Sequence, residues 1–273
     1  MPVRLKERPG LARSRNSFGF LANYWFRWLS RFSNDDLVFI GSGYEEDPPM
    51  GLPLEASDEP NRFSIQLYHR VATQVDLTGQ RVLEVSCGHG GGASYLTRTL
   101  APASYTGLDL NPVGVDFCRR NHDLPGLNFV QGDAQDLPFP DQSFDAVVNI
   151  EAGFCYPSLP RFLAEVARVL RPGGHFLYAD IRRSDRIAQW EKELGDCPMR
   201  LRSERVINDQ VALGLEKSLP RFKELNGYSP AFLVDAVWAK ACRKGLQNGD
   251  LAYRMYYFDA QPGCTAEGTP RHS

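Results

Sequence analysis

The sequence predicts a doubly wound α/β fold, a mostly parallel sheet with helices on both faces. Three observations predict it. Short β-branched runs alternate with helical periods through the middle of the chain, which is the pattern of strands joined by crossover helices. A glycine-rich loop, Gly88-His89-Gly90-Gly91-Gly92-Ala93, follows the first of those runs. Proline and glycine punctuate the helices where a helix must start or stop.

Arg81–Ser86, Tyr105–Leu110, Leu127–Gln131, Phe144–Ile150 and His175–Ile181 read as strands. Asn111-Pro112 opens a helix after the second strand, with proline at its preferred first position. Leu159–Leu170 places Leu159, Phe162, Leu163, Val166 and Leu170 on one helical face, and Pro172-Gly173-Gly174 stops that helix. Ala236–Cys242 and Leu251–Phe258 flank Gln247-Asn248-Gly249-Asp250. Asn-Gly is a strong turn signal, so an antiparallel hairpin is expected to close the sheet. Two stretches lie outside the sheet: the acidic, proline-rich Gly41–Asn61 and the mostly helical Arg182–Leu233, an insertion on the acceptor side. The expected organisation is an N-terminal extension over 1–61, one domain over 62–260 with an insertion at 182–233, and a disordered tail over 261–273.

Composition narrows the function classes. With 42% hydrophobic and 23% charged residues the chain can build a sizeable core. A formal net charge of -2 argues against a general nucleic-acid binder. No run approaches the roughly 18 apolar residues of a spanning helix. Residues 1–15 are basic, but the apolar stretch Phe18–Phe32 is broken by Asn23, Arg27 and Arg31 and lacks a small-residue cleavage site, unlike a signal peptide. Six scattered cysteines show no metal-ligand spacing, so a reduced, cytoplasmic protein without a metal site is expected. Tyr24, Trp25, Phe26 and Trp28 make Phe18–Phe32 strongly aromatic. Such a helix suits either packing over the sheet or peripheral contact with the inner face of a membrane.

The glycine loop alone fits a dinucleotide as well as other nucleosides, which leaves an NAD-dependent oxidoreductase as one alternative. Three acids separate the readings. Glu84 precedes the glycines, where it suits an amino-acid ammonium and repels a pyrophosphate. Asp109 ends the second strand, where it suits ribose hydroxyls. Asp133, beside Ala134, follows the third strand, where it suits the adenine amine. Together they describe a nucleoside that carries an amino acid and no phosphates.

Glu84–Gly91, Gly107–Asp109, Gly132–Ala134, Asn149–Glu151 and Leu170–Gly174 resemble, in order and spacing, the class I S-adenosylmethionine-dependent methyltransferases. That resemblance implies a Rossmann-like seven-stranded sheet and S-adenosylmethionine contacts at Glu84, Ser86, Gly88, Gly90, Asp109, Leu110, Asp133, Ala134 and Asn149. Ser86 stands where that family usually has glycine. Tyr44–Met50, Leu54–Asn61, Leu67–Arg70, Val85–Arg98 and Ala252–Tyr256 are similar to the phthiotriol/phenolphthiotriol dimycocerosate methyltransferases. This implies a methyl transfer to a hydroxyl of a complex lipid or glycolipid; glycopeptidolipid sugars and fatty acyl chains are the related alternatives.

An aliphatic hydroxyl is a poor nucleophile near neutral pH, so a positioned base that takes its proton would help. Related O-methyltransferases often carry a histidine soon after the fourth strand; here Phe154 occupies that position, whereas Asp180 matches an accompanying aspartate. Asp180 is therefore the first candidate and His69, on a helix ahead of the sheet, the second. Alignment without a base, or a non-catalytic cofactor-binding scaffold, are the remaining readings. His89 is expected to serve the loop's geometry, and His122 to meet the last carbonyls of its own helix.

Overall fold

A chain that alternates buried β-branched runs with amphipathic helices has one economical arrangement, strands side by side with helices against both faces. The computed structural model describes Ser30, residues 35–226 and residues 230–261. The helix expected within Phe18–Phe32 therefore lies outside the described residues apart from Ser30, and the expected tail lies outside them apart from Gln261.

The elements run α1 (Arg62–Ala72), β1 (Arg81–Val85), α2 (Gly91–Leu100), β2 (Ser104–Asp109), α3 (Pro112–Asn121), β3 (Leu127–Gln131) and β4 (Phe144–Ile150). There follow α4 (Leu159–Val169), β5 (Leu170–Arg183), α5 (Ile187–Gly195), β6 (Met199–Val206), α6 (Asn208–Asn226), α7 (Pro230–Asn248) and β7 (Leu251–Ala260). The sheet is seven-stranded in the order β3-β2-β1-β4-β5-β7-β6. β1 to β5 pair in parallel, and β7 is antiparallel to both of its neighbours. Strand order reverses between β1 and β4, the crevice where sheets of this kind bind ligands.

Local chemistry accounts for the boundaries. Asn111 caps α3 by accepting from Val113 N, and Pro112 follows as the first helical residue. α4 buries Leu159, Phe162, Leu163, Val166 and Val169 against the sheet. Fully burying such a side chain contributes about 1.5–3 kcal/mol. Leu170 leaves the helix in an extended conformation and pairs with Phe144, so the turn comes before Pro172.

The antiparallel closure is present, but its partner strand is not the expected one. Ala236–Cys242 belongs to α7, where Ala239, Cys242 and Leu246 recur at helical spacing and are buried. Gly249, with φ +82°, ends that helix in the left-handed conformation, so Asn248-Gly249 is a helix exit and not a hairpin turn. β7 pairs instead with β6, inside a stretch expected to be mostly helical. Almost every residue of β6 is exposed, as suits a charged edge strand, and its apolar alternation stops after Met199 and Leu201.

The polar stretch after Gly41 is not a surface loop throughout. Ser42, Gly43, Tyr44 and Glu45 are buried. Tyr44 N donates to Phe63 O and Glu45 N to Gln210 O, strapping the segment to α1 and α6. Gly43 and Gly214 meet backbone to backbone, since a Cβ on Gly214 would lie 2.2 Å from the carbonyl carbon of Gly43.

Candidate cofactor and acceptor site

The glycine loop leaves β1 in a conformation few side chains tolerate. Ser86, Gly88 and Gly90 have φ of +63°, +58° and +77°. This accounts for the family's glycine at position 86, and here Ser86 adopts the left-handed region with Oγ 2.7 Å from Tyr156 Oη. The loop delivers the chain to α2, whose first N–H, that of Gly91, donates to Val38 O. Asp109, at the end of β2, accepts from Gly88 N (2.9 Å) and Asn111 N (2.8 Å). Burial raises its pKa, and these N–H donors oppose that rise. Each carboxylate oxygen keeps a further lone pair. Beside it Leu110 is 55% exposed, a large apolar surface at the rim of the same edge. Asp133 is exposed and accepts from Gln135 N, while Ala134 is buried next to it. Asp109, Leu110, Asp133 and Ala134 thus stand at the ends of neighbouring strands β2 and β3.

Glu84 sits deeper than those residues. It is 1% exposed, accepts from Tyr105 Oη (2.8 Å), and is also approached by the Tyr68 hydroxyl. Burial pushes its pKa up to about 7 against the pull of the two tyrosines. Tyr68 reaches it only because position 92 is glycine: a Cβ there would lie 1.9 Å from the Tyr68 ring. Asn149, on β4, donates to Val85 O and Tyr156 Oη, and its Oδ1 is buried without a partner. An orphaned acceptor beside the loop fits a cationic ligand group, which is what an aminoacyl nucleoside would bring there.

The two expected bases are not brought together. His69 Nδ1 lies 2.8 Å from Tyr95 Oη on α2, and burial lowers its pKa. Asp180 is fully buried on β5, but it is engaged by Arg182 (2.7 Å), the Tyr178 hydroxyl (2.7 Å) and Ile181 N (2.8 Å). Arg182 in turn lies over the Trp190 ring at 4.7 Å. Both oxygens of this carboxylate are already engaged, Oδ2 by Arg182 and Tyr178 and Oδ1 by Ile181 N. His89 does serve geometry. Its Nδ1 donates to Leu37 O, its Nε2 lies 2.8 Å from Ser30 Oγ, and burial lowers its pKa. The His122 side chain meets His89 O of the loop (2.8 Å), and not its own helix's last carbonyls as expected.

The residue that sequence reasoning passed over is Glu151, the first residue after β4 at the crevice. Its φ of +53° is strained for a side-chain-bearing residue, and Gly41 is glycine because a Cβ there would lie 2.3 Å from Glu151 Oε2. Ser42 N donates to that oxygen at 2.5 Å. Burial pushes the Glu151 pKa up to about 7, opposed chiefly by Ser42. Ser42 Oγ and Tyr253 Oη, both buried, stand close to this carboxyl without closing a hydrogen bond. Val38 O accepts from Gly91 N (3.0 Å), so the strap runs from the glycine loop to Glu151 across the crevice.

Comparison with known proteins places this geometry. Residues 83–178 match a family described as a methyltransferase domain. Two solved structures share the fold. The cyclase SpnF aligns with a TM-score of 0.67 at 19% identity, covering 89% of this chain and 96% of that one. The geranyl diphosphate C-methyltransferase of Streptomyces coelicolor A3(2), bound to S-adenosyl-L-homocysteine, aligns with a TM-score of 0.63 at 14% identity, covering 87% and 97%. Fold and family define a methyltransferase that uses S-adenosylmethionine, which sets aside the dinucleotide reading of the loop.

The phthiotriol/phenolphthiotriol dimycocerosates methyltransferase of Mycobacterium tuberculosis (strain ATCC 25177 / H37Ra) is 55% identical over 255 residues, 90% of this chain and 94% of the relative. The chain belongs to that family. The fatty-acid O-methyltransferase of Mycolicibacterium smegmatis is also 55% identical, over 84% of this chain and 85% of the relative.

Proposed function

We propose that this protein methylates a hydroxyl of a long-chain lipid or glycolipid of the phthiotriol dimycocerosate kind, with Glu151 accepting the hydroxyl's proton. The observation that carries the reading is the half-buried Glu151 carboxyl at the crevice, with a pKa near 7 and the unpartnered Ser42 Oγ and Tyr253 Oη beside it.

When bound, S-adenosylmethionine supplies an electrophilic methyl group whose bond to sulfur breaks as a bond to the acceptor oxygen forms. Asp109 suits the ribose hydroxyls, Asp133 with Ala134 and the exposed Leu110 suits adenine, and Asn149 Oδ1 suits the ammonium. Glu84 lies beneath the loop, where a bound ammonium would favour its ionised form. Ser86, Gly88 and Gly90 let the backbone come close to the ligand. Glu151 takes the proton that the hydroxyl loses, and a base poised near neutral pH is best matched to that task. Ser42 N keeps the carboxylate aimed, and the strap over 37–46 excludes water while the reacting atoms are held in line. Asp180 acts through Arg182 and Tyr178 by fixing the end of β5 under the Gly153–Cys155 turn, since a Cβ on Gly153 would lie 2.7 Å from its Oδ2.

The second reading, methylation of a fatty-acid carboxylate, is raised by the fatty-acid relative at the same identity. A carboxylate acceptor needs no base, and an ionised Glu151 repels it. The test offers the purified protein labelled S-adenosylmethionine with a long-chain diol and with a fatty acid of matched length, and identifies the product by mass spectrometry. A methyl ether from the diol is expected; a methyl ester as the sole product overturns the proposal.

A further inference from the structure

A second opening lies on the α1 side of the sheet, away from the glycine loop. The end of α1 is tied to the edge strands: Ser203 Oγ donates to Gln74 Oε1 (3.2 Å), and Gln74 Nε2 donates to Tyr256 O (3.4 Å). Between them runs a groove of about 380 Å³, with Met255 and Tyr257 of β7 at its floor. Small-ligand sites occupy about 300–1,000 Å³. Strand geometry separates it from the crevice. Tyr253, Met255 and Tyr257 share one face of β7, and at about 3.3 Å per residue the groove begins roughly 7 Å beyond Tyr253.

Two guanidinium groups line the groove from opposite walls, Arg70 of α1 and Arg205 of β6. Arg205 is exposed and has no hydrogen-bond or ion-pair partner among the described residues. Arg70 Nη2 stands 3.3 Å from Glu46, but its Nε is buried without an acceptor. Glu46 is also engaged by Tyr44 Oη at 2.8 Å, so the carboxylate beside Arg70 is shared with a hydroxyl. Nearby charges are spent elsewhere: Arg202 pairs with Asp259 and Glu204 with Arg254. A net positive groove with a buried, unsatisfied donor lacks an anionic acceptor. A phosphate offers oxygens to both forks at once, as the two oxygens of a carboxylate do less well across two walls.

We propose that this groove binds a phosphate group of a ligand distinct from S-adenosylmethionine, with Arg205 and Arg70 holding it and Met255 and Tyr257 packing its apolar remainder. The shared chemistry covers a phospholipid headgroup and a soluble phosphorylated molecule. The full-length protein is titrated with inorganic phosphate by calorimetry, and its co-sedimentation with vesicles of phosphatidylglycerol is compared with that on phosphatidylcholine. Both are repeated with Arg205→Gln and with Arg205→Lys. Because Arg205 is exposed, neither substitution threatens folding, and S-adenosylhomocysteine affinity serves as the control that stays unchanged. Binding weakened about ten- to a hundredfold in Arg205→Gln, and less in Arg205→Lys, is expected from the loss of charge-assisted hydrogen bonds. Arg205-dependent binding of phosphatidylglycerol vesicles identifies a headgroup, and Arg205-dependent binding of phosphate alone identifies a soluble ligand. The proposal is overturned if the wild type binds neither probe, or if Arg205→Gln binds both as the wild type does.

Discussion

Gly92→Ala tests how the glycine loop is supported from below. A Cβ at this position would meet three atoms of the Tyr68 ring at 1.9, 2.2 and 2.4 Å. These are ring atoms packed edge-on against Phe39, with centroids 5.7 Å apart, so the ring must rotate out as a unit. Overpacking of this kind costs about 1–3 kcal/mol. Displacing the ring also takes the Tyr68 hydroxyl from Glu84, a buried carboxyl, at about 1.5–3 kcal/mol when that group is charged. The combined loss is roughly 3–5 kcal/mol, a melting-point drop on the order of 10 °C for a domain of this size. Urea denaturation of Gly92→Ala, Tyr68→Ala and the double variant measures the coupling directly. Once the ring is gone the added methyl has room, so the double variant should be little worse than Tyr68→Ala, with a coupling close to the whole Gly92→Ala loss. Losses that add within about 0.5 kcal/mol, or a Gly92→Ala protein that melts like the wild type, refute the reasoning.

Two further perturbations probe the buried charges. Glu84 titrates at about 7 in the fold against an ordinary 4.5. The native state therefore holds a proton that the unfolded chain releases, and stability falls as pH rises from about 4.5 to 7, by about 3 kcal/mol at most. Thermal melts across that range should show the decline in the wild type and a flatter profile in Glu84→Gln. Asp180→Asn leaves Arg182 buried without its counter-charge, and a loss of about 3–5 kcal/mol is expected in chemical denaturation. A near-neutral result would mean that the Trp190 ring and the Ile181 carbonyl suffice to hold that guanidinium.

The parallel half of the fold was legible because its signals are local. Leu127–Gln131 alternates buried Leu127 and Phe129 with exposed Asn128 and Gln131, Phe144–Ile150 is a mostly apolar run buried along nearly its whole length, and Asn111-Pro112 caps a helix by chemistry that needs no tertiary context. The C-terminal third was legible only in outline. Asn248-Gly249 suits a hairpin turn and a helix exit equally, since both demand positive φ; what decides is the burial of Ala239, Cys242 and Leu246, a tertiary fact. β6 is an exposed edge strand held by backbone pairing to β7, and backbone pairing leaves little trace in side-chain pattern.

The candidate site divides along the same line. Asp109, Gly88 and Gly90 stand where strand ends and loop conformation put them, and spacing announces that. Glu151 was hidden because its surroundings come from afar: Ser42 is 109 residues away in sequence, and Tyr253 belongs to the last strand. Asp180 illustrates the converse. Its position at the end of the parallel sheet is apparent from the sequence, but its capture by Arg182, two residues on, depends on the Arg182 side chain turning back onto it.

The pH dependence of methyl transfer in Glu151→Gln tests the central claim most directly. With a long-chain diol and saturating S-adenosylmethionine, the wild-type kcat should rise through an apparent pKa near 7 and then level off, as Glu151 becomes a competent base. Glu151→Gln should be slower by about 10²–10⁴-fold with no such rise, while its affinity for S-adenosylhomocysteine is retained. A Glu151→Gln protein that turns over at the wild-type rate with the same pH profile would contradict the account.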